Sequence, residues 1–152
     1  MKNKIITTFI LLFLSTSCGY QPLYKQNENN KNYSIKEIQL VGNKNLSEQI
    51  FSKLPITIKK NDEDLDKLII TSDKKIIEVS KNSKGQITSY RSEVMVTLKI
   101  INKENQTKIK NFKKDFSYND DENKFKLKEY QNNIEENLID SIVEDITLHI
   151  TY

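Results

Sequence analysis

The chain has 152 residues and a formal net charge of +3, with 24 basic residues nearly balanced by 21 acidic ones. This balance disfavours a nucleic-acid-binding protein, which needs a clear excess of positive charge. The chain contains one cysteine and one histidine, so it offers few groups for metal binding or nucleophilic catalysis.

The amino terminus has the pattern of an export signal. Lys2 and Lys4 precede a run of ten residues, Ile5 to Leu14, that is almost entirely apolar. A membrane-spanning helix needs about 20 apolar residues, so the run is too short to span a bilayer and predicts a signal peptide. The alternative is a buried first helix of a cytosolic domain.

Small residues lead from this run to Cys18, the only cysteine. Cys18 therefore has no partner for an internal disulfide in an oxidising compartment. The segment Leu14 to Gly19 resembles the bacterial lipobox, although that pattern prefers leucine where this chain has Ser15. The resemblance implies that Cys18 is acylated and becomes the new amino terminus. The residue after the cysteine is Gly19 rather than aspartate, which implies transfer to the outer membrane. The several acyl chains expected on such a cysteine give a durable anchor.

These features divide the chain into three parts. Residues 1–17 are predicted to form the signal peptide, and residues 18–32 a lipidated, extended tether, because Pro22 favours extended backbone and a polar run follows. Residues 33–152 are predicted to form one domain. The 152 residues less the first 17 leave 135, a size that suits a single core. Loss of Lys2 and Lys4 lowers the formal charge from +3 to +1.

The first half of the domain shows one strand and one short helix. The mixture of β-branched and polar residues in Ser34 to Val41 predicts a strand that ends at Gly42. Apolar residues at helical spacing predict a helix from Leu46 to Leu54, with Asn45 as its N-cap and Pro55 after its end. The acidic loop Asn61 to Asp66 lacks the glycine and glutamate that an EF-hand requires, so we predict no metal site there.

The second half predicts three strands and a long helix. Isoleucine-rich Leu68 to Val79 precedes the strong period-two alternation of Tyr90 to Ile100, and a third strand places Phe112, Phe116 and Tyr118 on one face. Short polar turns between them predict an antiparallel meander. From Leu127 to Ile150 apolar residues recur at spacings of three and four, and the opposite, acidic face is predicted to be solvated.

Together these elements predict an α+β fold. It is a single sandwich in which an about four-stranded, mostly antiparallel sheet is covered by a short helix and a long C-terminal helix. An enzyme is not expected, because His149 stands alone, Cys18 is committed to lipid, and three glycines cannot form a phosphate-binding loop. No cofactor is implied.

The opening motif Cys18-Gly-Tyr-Gln-Pro-Leu-Tyr24 and this order of elements resemble the lipopolysaccharide-assembly lipoprotein family, LptE. The resemblance implies an outer-membrane lipoprotein that plugs the LptD β-barrel, assists its assembly, and helps lipopolysaccharide reach the outer leaflet. Two alternatives stay open. One is an accessory or pilotin-like lipoprotein of another outer-membrane complex. The other is a soluble periplasmic enzyme, which requires an unlipidated Cys18.

Direct binding of lipopolysaccharide, a second attribute of that family, requires cations for the lipid A phosphates beside apolar surface for acyl chains. The candidate cations lie in or beside predicted strands and are Lys74, Lys75, Arg91, Lys113 and Lys114. Arg91 is the sole arginine of the chain. The alternative for each is an ordinary exposed residue of the sheet.

Overall fold

The computed structural model describes residues 32–151 of the chain. The predicted signal peptide, Cys18 and all of the predicted tether except Asn32 lie outside the described residues.

The described domain contains six strands and two helices, and it confirms the predicted α+β fold. In chain order the elements are β1 (Tyr33–Ile35), β2 (Glu37–Gly42), α1 (Lys44–Lys53), β3 (Ile56–Ile58), β4 (Lys67–Lys81), β5 (Ile87–Ile101), β6 (Thr107–Asn119) and α2 (Lys124–Thr151).

Four strands form one sheet in the order β2-β4-β5-β6. The predicted antiparallel meander of β4, β5 and β6 is confirmed, and β4 and β5 each extend beyond their predicted ranges. β2 lies at the edge of the sheet and is parallel to β4. It pairs only with residues 67–72 of β4, so the rest of β4 extends beyond β2. The parallel pair reflects the helix that separates the two strands in sequence.

The predicted first strand, Ser34 to Val41, is divided into two strands that belong to different sheets. β1 pairs in parallel with β3, and β2 pairs with β4. The break falls at Lys36, whose backbone N–H donates to the carbonyl of Asp66 over 2.9 Å. The sequence prediction omitted β3, because three residues are too few to show a period.

The predicted short helix is confirmed, but its cap is a different asparagine. α1 begins at Lys44, and the side-chain oxygen of Asn43 accepts a hydrogen bond from the Leu46 N–H over 3.2 Å. The predicted cap, Asn45, lies inside the helix. Gly42, with φ of +83°, turns the chain so that Asn43 takes the capping position.

The core lies between one face of the sheet and the two helices. Alternate residues of β5, namely Val94, Val96 and Leu98, point into it, as the period-two pattern predicts. On α2, the predicted stripe is confirmed except at Tyr130, which is 48% exposed, and Ile142 and Ile146 have no exposed surface. Burial of each such side chain stabilises the fold by about 1.5–3 kcal/mol.

The polar face of α2 is only partly solvated, which corrects the prediction that its acidity serves solvation alone. Three acidic residues at its borders form ion pairs with lysines of other elements: Glu135 with Lys74, Asp140 with Lys53, and Asp145 with Lys114. These pairs join α2 to β4, α1 and β6.

Candidate functional site

The five candidate cations lie on three adjacent strands, but on two different faces of the sheet. We call the face that packs against the helices the inner face, and the opposite one the outer face. Side chains alternate between the faces along each strand. Lys75, Arg91 and Lys113 lie on the outer face, whereas Lys74 and Lys114 lie on the inner face beside α2.

Glu93 is the centre of the outer-face cluster. It is only 4% exposed although it lies on the solvent side of the sheet. The Nζ atom of Lys75 is 2.9 Å from one carboxylate oxygen of Glu93, and that of Lys113 is 2.5 Å from the other. The carboxylate therefore connects β4 and β6 across β5.

The two lysines change the acid–base properties of this carboxylate. The pKa of Glu93 is lowered, first by the hydrogen bond from Lys113 and then by that from Lys75. In turn Glu93 raises the pKa of Lys75, mainly through the same hydrogen bond. The lowered pKa of Glu93 and the raised pKa of Lys75 both favour the charged forms of this pair.

Arg91 extends the cluster toward the end of the sheet at which β4 leads into β5. Its Nε–H donates to the Ser117 hydroxyl over 3.2 Å, and Nε lies 3.8 Å from an oxygen of Asp115. The side chain is 44% exposed. Ile77, which is directly opposite Arg91 on β4, is also partly exposed, so a cation and an apolar side chain lie next to each other on this face.

Lys74 and Lys114 lie apart from this cluster and form ion pairs with α2. Lys74 pairs with Glu135 of α2, and the Nζ atom of Lys114 is 2.8 Å from the Asp145 carboxylate. Both lysines thereby hold the helix on the sheet. The structure therefore brings together three of the five candidates and separates the other two from them.

Sequence reasoning missed Glu93 as a member of the site. The period-two pattern places it with Arg91 and Met95 on the solvent side, and no local signal distinguishes it from an exposed glutamate. Its burial results from the side chains of two neighbouring strands. That contact depends on the pairing register, which a single strand does not reveal.

The described residues contain no group of three or more side chains arranged to hold a metal ion. His149 packs edge-on against Phe112, with ring centroids 6.0 Å apart. Within residues 32–151, neither helix combines the length and apolar character needed to span a membrane.

Comparison with solved structures identifies the fold. Rare lipoprotein B from Shewanella oneidensis superimposes with a TM-score of 0.59 at 15% identity, and the match covers 76% of this chain and 93% of that protein. A minor lipoprotein from Acinetobacter baumannii superimposes with a TM-score of 0.60 at 17% identity, covering 78% and 90%. The chain shares the fold of these lipoproteins. Comparison of the sequence with family models and with curated proteins returned no match.

Proposed function

We propose that this chain is an outer-membrane lipoprotein of the LptE type. In this proposal Cys18 carries the lipid anchor, and the domain occupies the lumen of an LptD-like β-barrel, assists its folding, and takes part in lipopolysaccharide transport. The observation that carries the proposal is the fold shared with rare lipoprotein B over 93% of that protein. The lipobox-like segment before Cys18 agrees with it, since both neighbours are lipoproteins.

The surface of the domain is compatible with a plug. The lumen of a wide outer-membrane barrel is polar, so a domain inside it needs a polar surface rather than a continuous apolar one. Charged pairs cover the outer face around Glu93 and the borders of α2. Such a surface fits an aqueous lumen with little loss of hydration.

We assign lipopolysaccharide contact to the outer face of the sheet. Lys75, Arg91 and Lys113 provide cations for phosphate, and exposed Ile77 and Ile109 provide apolar surface for acyl chains. Arg91 is the leading contact because guanidinium binds phosphate through two parallel hydrogen bonds. Lys74 and Lys114 are not part of this surface, since both lie on the inner face of the sheet beside α2.

Lipid attachment is tested by labelling cells with a radioactive fatty acid. We expect label on the wild-type chain and none on Cys18→Ala. Label on neither chain would contradict the anchor and favour a soluble periplasmic protein.

The plug function is tested by depletion and rescue. Depletion of the chain is expected to reduce the amount of folded LptD-like barrel in outer membranes, because the barrel loses its internal partner. Re-expression of the wild-type chain should restore it. A barrel that folds in normal amount without this chain would argue against the proposal.

Lipopolysaccharide binding is tested with purified variants and a direct affinity measurement. Removal of a charge-assisted contact costs about 1.5 kcal/mol, so Arg91→Ala is expected to weaken binding about tenfold. Lys44→Ala, on the exposed surface of α1, is the matched control and should not change the affinity. Equal affinities for Arg91→Ala and wild type would remove Arg91 from the site without affecting the plug proposal.

A further inference from the structure

Lys99 is a half-buried lysine of the outer face that is not among the five candidate cations. It lies on β5, where Val96 and Leu98 point into the core and the odd-numbered residues point to the outer face. Lys99 is directly opposite Ile69 of β4 on one side and Ile109 of β6 on the other. Its aliphatic stem therefore lies between two apolar side chains, on the face of the sheet opposite the helices.

Lys99 has no carboxylate partner among the described residues. Three lysines in this part of the chain are half-buried, and the other two each form an ion pair, Lys36 with Glu63 and Lys114 with Asp145. Every other described lysine without such a pair is exposed. Lys99 therefore combines partial burial with an uncompensated charge, which costs free energy unless an anion from outside the domain binds to it.

The neighbours of Lys99 on the outer face supply no negative charge. Its neighbours along β5 are Thr97 and Ile101. Its diagonal neighbours on the two adjacent strands are Lys67, Thr71, Thr107 and Asn111. The pairing register thus surrounds Lys99 with neutral or basic side chains, so a counter-charge has to come from a ligand.

Two of these neighbours add hydrogen-bond donors beside the ammonium group. The Thr97 hydroxyl donates to the side-chain oxygen of Asn111 over 2.8 Å, which leaves the amide NH₂ of Asn111 as a donor. Within the described domain neither this NH₂ group nor the hydroxyl of Thr71 has a hydrogen-bond partner. A phosphate group has several strong acceptor oxygens and can bind such donors together with a lysine.

We propose that Lys99 binds a phosphate group of lipopolysaccharide, and that Ile69 and Ile109 contact an acyl chain beside it. This inference rests on the proposed function, because it assigns a further contact to the lipid for which the outer face was proposed. Charge complementarity supports a phosphate, and the apolar side chains on both sides of Lys99 support an amphiphile rather than an isolated carboxylate of a protein partner. Lys99 is six residues from Glu93 along β5, about 20 Å, so this contact is separate from the cluster around Glu93.

The first test compares lysine variants of the full-length chain in a direct measurement of affinity for bisphosphorylated lipid A in detergent. Lys99→Met keeps an unbranched side chain and removes the charge, and we expect it to weaken binding about tenfold. Lys110→Met makes the same change at an exposed lysine on the inner face of β6 and should bind as wild type does. Lys99→Arg keeps a cation for phosphate and should also bind as wild type does.

The second test separates the phosphate from the acyl chain. With dephosphorylated lipid A, the wild-type chain and Lys99→Met should bind equally. Ile109→Thr keeps a β-branched side chain but removes apolar surface, and it should weaken binding of both forms of lipid A about fourfold. Ile58→Thr, at a partly exposed isoleucine of β3, is the control and should not. Urea unfolding of each variant shows that a loss of affinity is not a loss of the fold.

The outcomes distinguish this inference from the proposed function. If wild type binds lipid A and Lys99→Met binds it equally well, or if Lys110→Met loses as much affinity, this inference is overturned and the proposed function stands. A loss in Lys99→Met that persists with dephosphorylated lipid A would overturn the assignment to phosphate. Unchanged lipid A binding by Lys99→Met together with loss of a co-purified barrel would overturn it in favour of a protein carboxylate. No lipid A binding by the wild-type chain would contradict lipopolysaccharide contact as a whole, whereas recovery of the barrel tests the plug function separately.

Discussion

Gly42 and Gly85 form a matched pair of glycines for testing the packing of β2 against β4. Both have positive φ, +83° and +79°, so alanine at either site pays about 1–2 kcal/mol for left-handed backbone. A Cβ atom at Gly85 meets nothing within 4 Å, whereas a Cβ atom at Gly42 would lie 2.2 Å from the Ser72 carbonyl oxygen. Only Gly42→Ala therefore forces the two strands apart.

The additional cost at Gly42 follows from the contacts around it. Separation of the strands lengthens the 2.9 Å hydrogen bond from the Asn43 N–H to the Ser72 carbonyl and leaves two polar groups poorly paired. Loss of such a buried bond costs about 1–3 kcal/mol. We expect Gly42→Ala to lower the free energy of unfolding by about 2–5 kcal/mol, against about 1–2 kcal/mol for Gly85→Ala.

Urea unfolding of the two variants, followed by circular dichroism, measures the difference. A difference of about 2 kcal/mol separates the midpoints by about 1–2 M urea at the slopes usual for small domains. Equal midpoints would refute the close approach of Gly42 to β4, and with it the position of β2 at the edge of the sheet.

Two further predictions concern the core and the outer face. Ile142→Ala is expected to lower the free energy of unfolding by about 2–5 kcal/mol, because Ile142 is fully buried. Leu148→Ala, at an exposed position of the same helix, should change it by less than about 0.5 kcal/mol. Similar losses of stability for both variants in urea unfolding would contradict the packing of α2. The pKa of Glu93 is lowered in the folded state, so the carboxylate stabilises the fold above the pKa of an unfolded glutamate, and this contribution is lost as pH falls through the lowered pKa. The stability advantage of wild type over Glu93→Gln should therefore be present at pH 7 and decline in acid. If thermal unfolding gives a stability difference between the two proteins that does not change with pH, the ion pairs of Glu93 with Lys75 and Lys113 are contradicted.

Local patterns were sufficient for the elements with a long, regular period. The alternation of Tyr90 to Ile100 predicted both the strand and its buried side, and the apolar stripe of α2 predicted the helix and its packing face. The division of the first strand was not predictable in the same way. It depends on the pairing of β1 with β3, two segments of three residues each whose contact involves distant parts of the chain.

The sequence did not predict on which face of the sheet each candidate cation lies. The positions of these cations on strands were predicted, but the face depends on the orientation of the strand relative to the helices. Adjacent isoleucines in β4, such as Ile69 with Ile70 and Ile76 with Ile77, obscure its alternation, so the sequence alone does not separate Lys74 from Lys75. The structure separates them, because Lys74 contacts α2 and Lys75 contacts Glu93.

The most direct test of the proposed function is affinity purification of the tagged full-length chain from detergent-solubilised outer membranes, followed by mass spectrometry of proteins bound in stoichiometric amount. We expect recovery of an LptD-like β-barrel. Recovery of a secretin or of a different assembly barrel in its place, or of no barrel, would contradict it.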